Sequence, residues 1–311
     1  MSGSGKRERK GVWLMKAKYS MGKKRARAGL LFVMPSMIIF TAFVFIPLII
    51  AFIFSFLKFD LMFNNFEFQK LDNYIKLVKD ERFWNALFNT LYYTVFSVPL
   101  LIGLALLAAG MVKKKGWLSG ICKSVYFIPT ICSMTIVSIV WSFLVNPDVG
   151  MFCYWLERLG FNPVNVLSST KWAMPAVILV GVWKNFGFNL VILLAGLNGI
   201  DESYYEAADM DGAGEGQKFR KITLPMLMPT LSFAVVNSII GSFQVFDQVY
   251  VMTKGGPLFK TQTLVQLIYS TAFDSFNMGY ASTIAVALFG ITFLVSVFTF
   301  KKMTKGEDDL A

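Results

Sequence analysis

The chain has 311 residues, 30 Lys and Arg against 19 Asp and Glu, no His, three Cys and a formal charge of +11. At 55% hydrophobic and 16% charged residues, with a mean hydropathy of +0.56, it is far more apolar than a soluble domain, which is roughly a quarter charged. Composition therefore argues against a soluble enzyme, and the lack of His removes Ser-His-Asp and Cys-His catalysis and imidazole metal sites.

The first 29 residues form a basic leader containing ten Lys and Arg. Six apolar stretches follow, at 30–57, 86–112, 121–145, 173–197, 227–251 and 279–300, each carrying at most one charged side chain. About 20 apolar residues suffice to cross hydrocarbon, whereas core helices of soluble proteins average about 10–14 residues. The expected fold is an all-α integral membrane protein with six transmembrane helices in one domain, 30–300, and a tail at 301–311. The first stretch is about twice as long as the roughly 7–15-residue apolar region of a cleaved signal peptide, so it reads as an uncleaved anchor. Cys122, Cys132 and Cys153 have no C-x-x-C spacing and read as small apolar residues. Gly3-Ser4-Gly5-Lys6 and the Gly212-x-Gly214-x-Gly216 run lack the strand and loop context of a phosphate-binding motif.

Charge sets the expected orientation. Alternate segments, starting with the leader, hold 20 Lys and Arg against 9 in the others, which places both termini in the cytoplasm by the positive-inside rule. Trp84, Trp141, Trp172 and Tyr250 then fall at outer helix ends, where amphipathic rings favour the headgroup zone. On that outer side, Met151–Gly160 carries Phe152, Trp155, Leu156 and Leu159 at helical spacing. Two readings are open for it: lying on lipid headgroups or meeting an extracytoplasmic partner.

The positive charge thus reflects topology and attraction to anionic lipid, and no nucleic-acid partner is expected. One cytoplasmic loop, 198–226, is nevertheless locally acidic, with six acids against Lys218, Arg220 and Lys221. Ser203-Tyr204-Tyr205-Glu206 matches a capping box, Ala207 and Ala208 favour helix, and Gly212 can end it in a left-handed turn. A two-turn helix of this kind is not stable alone in water and needs a partner surface. A second helical stretch follows, and Pro225 and Pro229 suggest a rigid bend into the fifth span.

Within the spans, Lys184 lies near mid-depth, where a charge costs about 2.5–3.5 kcal/mol, and is a functional candidate for that reason. Asn185 and Asn189 follow it. In the fifth span Asn237, Gly241, Gln244 and Gln248 recur at steps of four, three and four, on one helix face. Amide side chains both donate and accept, which suits the hydroxyls of a sugar; hydrogen bonding to a neighbouring helix is the other reading for each. Asp247 lies near the outer end of the span, too far from Lys184 for an ion pair to be assumed.

Glu206-Ala207-Ala208, Asp211-Gly212-Ala213, Phe219 and Ile222-x-Leu224-Pro225 resemble the EAA loop of membrane subunits of bacterial ABC importers. Asn189 to Leu197 and the run Phe246 to Pro257 resemble the carbohydrate branch of that family. The resemblance covers helix 1 to Phe300 and implies a type I ABC importer permease fold in the bacterial cell membrane, a transport subunit with no cofactor or metal. It implies that Glu206, Ala207, Ala208, Asp211, Gly212, Ile222, Leu224 and Pro225 couple to two separate ATPase subunits. A second related permease subunit, in a heterodimer, and an extracytoplasmic solute-binding protein complete the implied assembly. The substrate path for a carbohydrate would be lined by Lys184, Asn185, Asn189, Asn237, Gln244, Asp247 and Gln248. An ATP-independent secondary carrier or channel is the alternative, and a purely structural scaffold a third.

Overall fold

The computed structural model describes residues 29–60, 66–112, 117–160 and 165–308; most of the basic leader lies outside them. It divides into two units at Phe54. The first contains helix α1, Gly29–Phe54, 26 residues with no charged side chain. A π-helical turn at Thr41–Phe45 interrupts its regular hydrogen bonding. Pro47 follows two residues later, and the wider turn relieves the clash and the missing donor that a proline brings to a helix interior.

The second unit starts with a two-residue antiparallel ladder, β1 Leu57–Lys58 with β2 Glu67–Phe68, in which Leu57 faces Phe68. The Asn73 amide closes it by donating to the carbonyls of Ser55 and Leu57, both at 3.0 Å. Asn73 belongs to the short helix α2, Asp72–Lys79. Then come α3, Glu81–Val112; α4, Trp117–Ile131; α5, Met134–Leu144; α6, Met151–Arg158; and α7, Ala173–Asn198. The remainder is α8, Glu202–Met210; α9, Glu215–Lys218; α10, Leu224–Phe243; α11, Asp247–Met252; α12, Leu264–Tyr269; and α13, Met278–Asp308.

Among the described residues five helices are long and apolar enough to cross a membrane, six if α4 and α5 count as one bent span. That pair occupies the third expected span, 121–145, as two helices and not one. The chain bends by 100° between Ile131 and Met134, just after Pro129, whose missing amide and ring weaken the helix there. The fifth expected span also differs, because it starts earlier: α9, a π-turn at Phe219–Thr223 and α10 run on from one another over Glu215–Phe243, and with α11 they make up one span over Glu215–Met252. Here again the π-turn ends two residues before a proline, Pro225. The sixth helix runs on to Asp308, through most of the segment expected as a tail.

Burial orders the helices. In α7, 56% of the most apolar window is enclosed, against 17% in α13, so α7 is central and α13 lies at the edge of the helix packing. The core joins Ala105 and Ala109 of α3, Leu190 and Leu193 of α7, Leu227 of α10 and Ile284 of α13. Without a hydrophobic drive between helices in lipid, close approach depends on small residues. Gly187 shows this: a Cβ there would lie 2.9 Å from the Thr130 hydroxyl and nearer still to the Tyr126 carbonyl oxygen, so only glycine lets α4 seat on α7.

Candidate functional site

The polar residues expected along a path do gather. A cavity of about 320 Å3 is lined by Lys184, Asn185 and Asn189 of α7, by Asn237 and Gly241 of α10, and by Gln244, Asp247 and Gln248. The regular helix stops at Phe243 and resumes at Asp247, with Phe246 at φ −139° and ψ −60°. The break disturbs the expected four-three-four periodicity but keeps Gln248 on the same cavity.

The seven polar side chains among them divide by what they already hold. Gln248 is buried and donates its Nε2 to the Tyr93 hydroxyl at 2.7 Å. Asn189, also buried, accepts from Ser238 Oγ at 3.2 Å. Asn185 Nδ2 donates to the Gly181 carbonyl at 3.0 Å. The first ties α11 to α3, the second ties α10 to α7, and the third braces α7 itself, as intramembrane amides commonly do. Among the described residues the side chains of Lys184, Asn237, Gln244 and Asp247 have no hydrogen-bond or ion-pair partner. Lys184 and Asp247 share the cavity without pairing.

Sequence reasoning missed the third wall. Tyr93 and Ser97 of α3 line the cavity, and Thr94 accepts from Ser242 Oγ at 3.1 Å. A signal existed: Asn89, Tyr93 and Ser97, with Thr90 and Thr94 beside them, recur every four residues and so share one helix face. Gly181 was missed as well. A Cβ on it would lie 2.7 Å from Gln248 Nε2 and closer still to the Tyr93 hydroxyl, so the Tyr93–Gln248 pair exists only above a glycine. Among the described residues no group of three or more Cys, Asp or Glu side chains has the arrangement of a metal site.

After α11, the run from Thr253 to Thr261 shapes a turn that locks onto α3. Asn85 and Asn89 each donate to the Phe259 carbonyl at 2.8 Å. Thr261 donates to the Gly256 carbonyl and meets the Thr253 hydroxyl, both at 2.7 Å. Gly255 takes a φ of +83°, which glycine alone adopts cheaply. Trp141, expected at an outer helix end, stacks on Phe152 and meets Trp183 edge-on at centroid distances of 5.7 and 5.5 Å, joining α5, α6 and α7.

The acidic loop forms its expected helix, with a shifted start. The N-cap of α8 is Asp201, whose Oδ1 accepts from the Ser203 amide at 2.9 Å, so Ser203 lies inside the helix and the Ser203–Glu206 capping box is absent. Both residues are good caps, and the earlier carboxylate also complements the helix dipole. The Ser203 hydrogen bonds hold the Asp201 carboxyl below its ordinary value of 3.8. A lowered folded-state value means that this stabilisation is complete above 3.8 and is lost as pH falls through the lowered value, so the cap is intact at neutral pH.

The other end is a full Schellman cap. Gly212 adopts φ +73°, its amide donates to the Asp209 carbonyl at 3.0 Å, and the Ala213 amide reaches the Ala208 carbonyl at 2.9 Å. Ala208 and Tyr205 turn inward, while Glu206, Ala207, Asp211 and Gly212 are exposed. Ile222, Leu224 and Pro225 are half-buried in the π-turn and the first turn of α10. Two contacts hold α8 to the following helix: the Tyr205 and Thr223 hydroxyls at 2.9 Å, and Lys218, paired with both Asp209 and Glu215.

The family profile of the binding-protein-dependent transport system inner membrane component matches residues 78–303. The probable ABC transporter permease protein YurN of Bacillus subtilis is 31% identical over 284 residues, covering 90% of this chain and 97% of that one. The lactose transport system permease protein LacF of Rhizobium radiobacter is 33% identical over 278 residues, covering 88% and 91%. In fold, the chain is similar to a bacterial ABC transporter involved in import of the acidic polysaccharide alginate, with a TM-score of 0.77 at 23% identity over 92% of this chain and 99% of that one.

Proposed function

Because the chain belongs to the family of binding-protein-dependent transport system inner membrane components, we propose that its cavity passes a sugar or oligosaccharide into a bacterial cell, driven by ATPase subunits bound at α8. Membership makes the chain a membrane transport subunit and not an enzyme. It also removes the ATP-independent carrier or channel as an alternative.

The observation that carries the sugar reading is the set of four unpartnered side chains, Lys184, Asn237, Gln244 and Asp247, on one cavity inside otherwise apolar helices. Together they offer donors and acceptors of both kinds, which matches the alternating hydroxyls of a carbohydrate. The volume is at the lower end of the roughly 300–1,000 Å3 of small-molecule pockets. Asn237, Gln244 and Asp247 are exposed on this chain, and a second, related permease subunit in a heterodimer would close that side. An extracytoplasmic solute-binding protein delivers the substrate. The charge asymmetry of the sequence puts both termini and α8 in the cytoplasm, and α6, with Trp155, Leu156 and Leu159 exposed, on the outer headgroups.

Lys184→Ala and Gln244→Ala test the path. With an uptake panel of labelled mono-, di- and oligosaccharides in cells expressing the complete importer, each variant should raise the KM for the transported sugar about tenfold, the effect of about 1.4 kcal/mol of lost hydrogen bonding to a charged or polar group. Co-purification with the ATPase subunits should stay at the wild-type level. Normal KM in both variants would assign these residues to packing.

A further inference from the structure

A nine-residue helix in water has no stability of its own, and α8 offers the chain little to grip. Of its residues only Ala208 is buried, and Met210 at its end is 89% exposed. Apart from Tyr205, half-buried against the hydrophobic core, what fixes α8 is a short list of polar contacts. Lys218 Nζ bonds the carboxylates of Asp209 on α8 and Glu215 on its own helix, and the Lys218 side chain is only 11% exposed. Exposed ion pairs contribute little because water screens them and the side chains are free to move; this cation is covered and held from two sides. Its carbonyl also receives the Thr223 hydroxyl at 3.4 Å, and Thr223 is the residue that Tyr205 of α8 reaches.

The position of Lys218 gives the clamp mechanical meaning. It lies one residue before the π-turn at Phe219–Thr223, a place where the helix has an extra residue per turn and can deform. Beyond it the same helix runs to the cavity wall, about 39 Å along the axis from Lys218 to Gln244 at 1.5 Å per residue. A load applied to α8 reaches that wall only if α8 and the first turn of the helix move together.

We propose that Lys218 is a positioning residue that welds α8 to the helix starting at Glu215, so that the two transmit motion of a docked ATPase as one body. The proposal rests on the docking role assigned to α8 above. Without the clamp, α8 stays bound to the ATPase but swings on its linker, and the motion is spent in the loop before it enters the membrane helix.

The test is a distance measurement by electron spin resonance in the complete importer, with spin labels at Met210→Cys and Phe233→Cys, both exposed positions, and Cys122, Cys132 and Cys153 replaced by Ser. With wild-type Lys218 the label distance should be single and the same in the nucleotide-free and the ATP-bound, vanadate-trapped states. With Lys218→Ala the distribution should widen about twofold and shift between the two states, with the ATPase still co-purifying. Lys218→Arg should restore the narrow distribution, and Asp209→Asn, at an exposed position, should widen it as Lys218→Ala does. Wild-type distributions in Lys218→Ala or Asp209→Asn would overturn the clamp alone. Failure of the unsubstituted chain to capture the ATPase would overturn the docking role and the clamp with it.

Discussion

Replacing Gly212 with Val should cut ATP-dependent uptake about five- to thirtyfold by loosening the ATPase from the complex. The φ of +73° at this position costs an L-residue about 1–2 kcal/mol, and more for a β-branched side chain. Nothing lies within 4 Å of where a Cβ would stand, so the penalty is conformational and not steric. Relieving it means leaving the left-handed region, which breaks the two amide bonds from Gly212 and Ala213 that close α8. Since only Ala208 and part of Tyr205 are buried on α8, even about 1–2 kcal/mol shifts it about five- to thirtyfold toward unfolded. Co-purification of ATPase subunits should fall by that factor, while the spans, and hence insertion into the membrane, are untouched. Gly212→Asn, which tolerates the left-handed region better, should retain a large part of the binding.

Gly181→Val should have the converse effect, intact assembly with failed transport. The new side chain occupies the place of the Tyr93 hydroxyl and of Gln248 Nε2 and forces that 2.7 Å hydrogen bond apart. Tyr93 and Gln248 are both buried, so each loses a partner that water does not replace, at about 1–3 kcal/mol for an unsatisfied buried group. The α3–α7 contact at this level must also open. Uptake at limiting sugar should drop at least about tenfold, with ATPase co-purification and binding-protein-stimulated hydrolysis retained. Gly181→Ala should be milder, since the Tyr93 hydroxyl and Gln248 Nε2 are ends of side chains that can shift. A Gly181→Val chain that transports normally would show that the Tyr93–Gln248 pair plays no part in the path.

Much of this arrangement is legible in the residues because bilayer thickness leaves few choices for long apolar runs. The boundaries of α7 and the end of α3 fall within a residue of the apolar stretches, as no soluble-phase packing competes to move them. The bend after Ile131 was not legible: Pro99, Pro129 and Pro229 all stand inside helices, and only tertiary contacts decide which one precedes a break. The π-turns were hidden for the same reason, since sequence marks the proline but not how the turn before it re-pairs. At the cavity, charge and amides drew attention because they are costly in lipid. The hydroxyls of α3 escaped it because Thr90 and Thr94 satisfy themselves on the carbonyls four residues back, at 2.8 and 2.9 Å, and so carry little penalty. Gly181 could not be found at all without knowing that Tyr93 and Gln248 meet above it.

The central claim is that this chain moves sugar only when an ATPase works through α8. The most direct measurement places the chain with its second permease subunit and ATPases in liposomes, supplies sugar-loaded binding protein outside and ATP inside, and follows sugar accumulation. Uptake that requires ATP, stops with vanadate and falls about five- to thirtyfold with Gly212→Val is the predicted result. Equal accumulation without ATP, or undiminished accumulation with Gly212→Val when its bound ATPase has fallen, would contradict it.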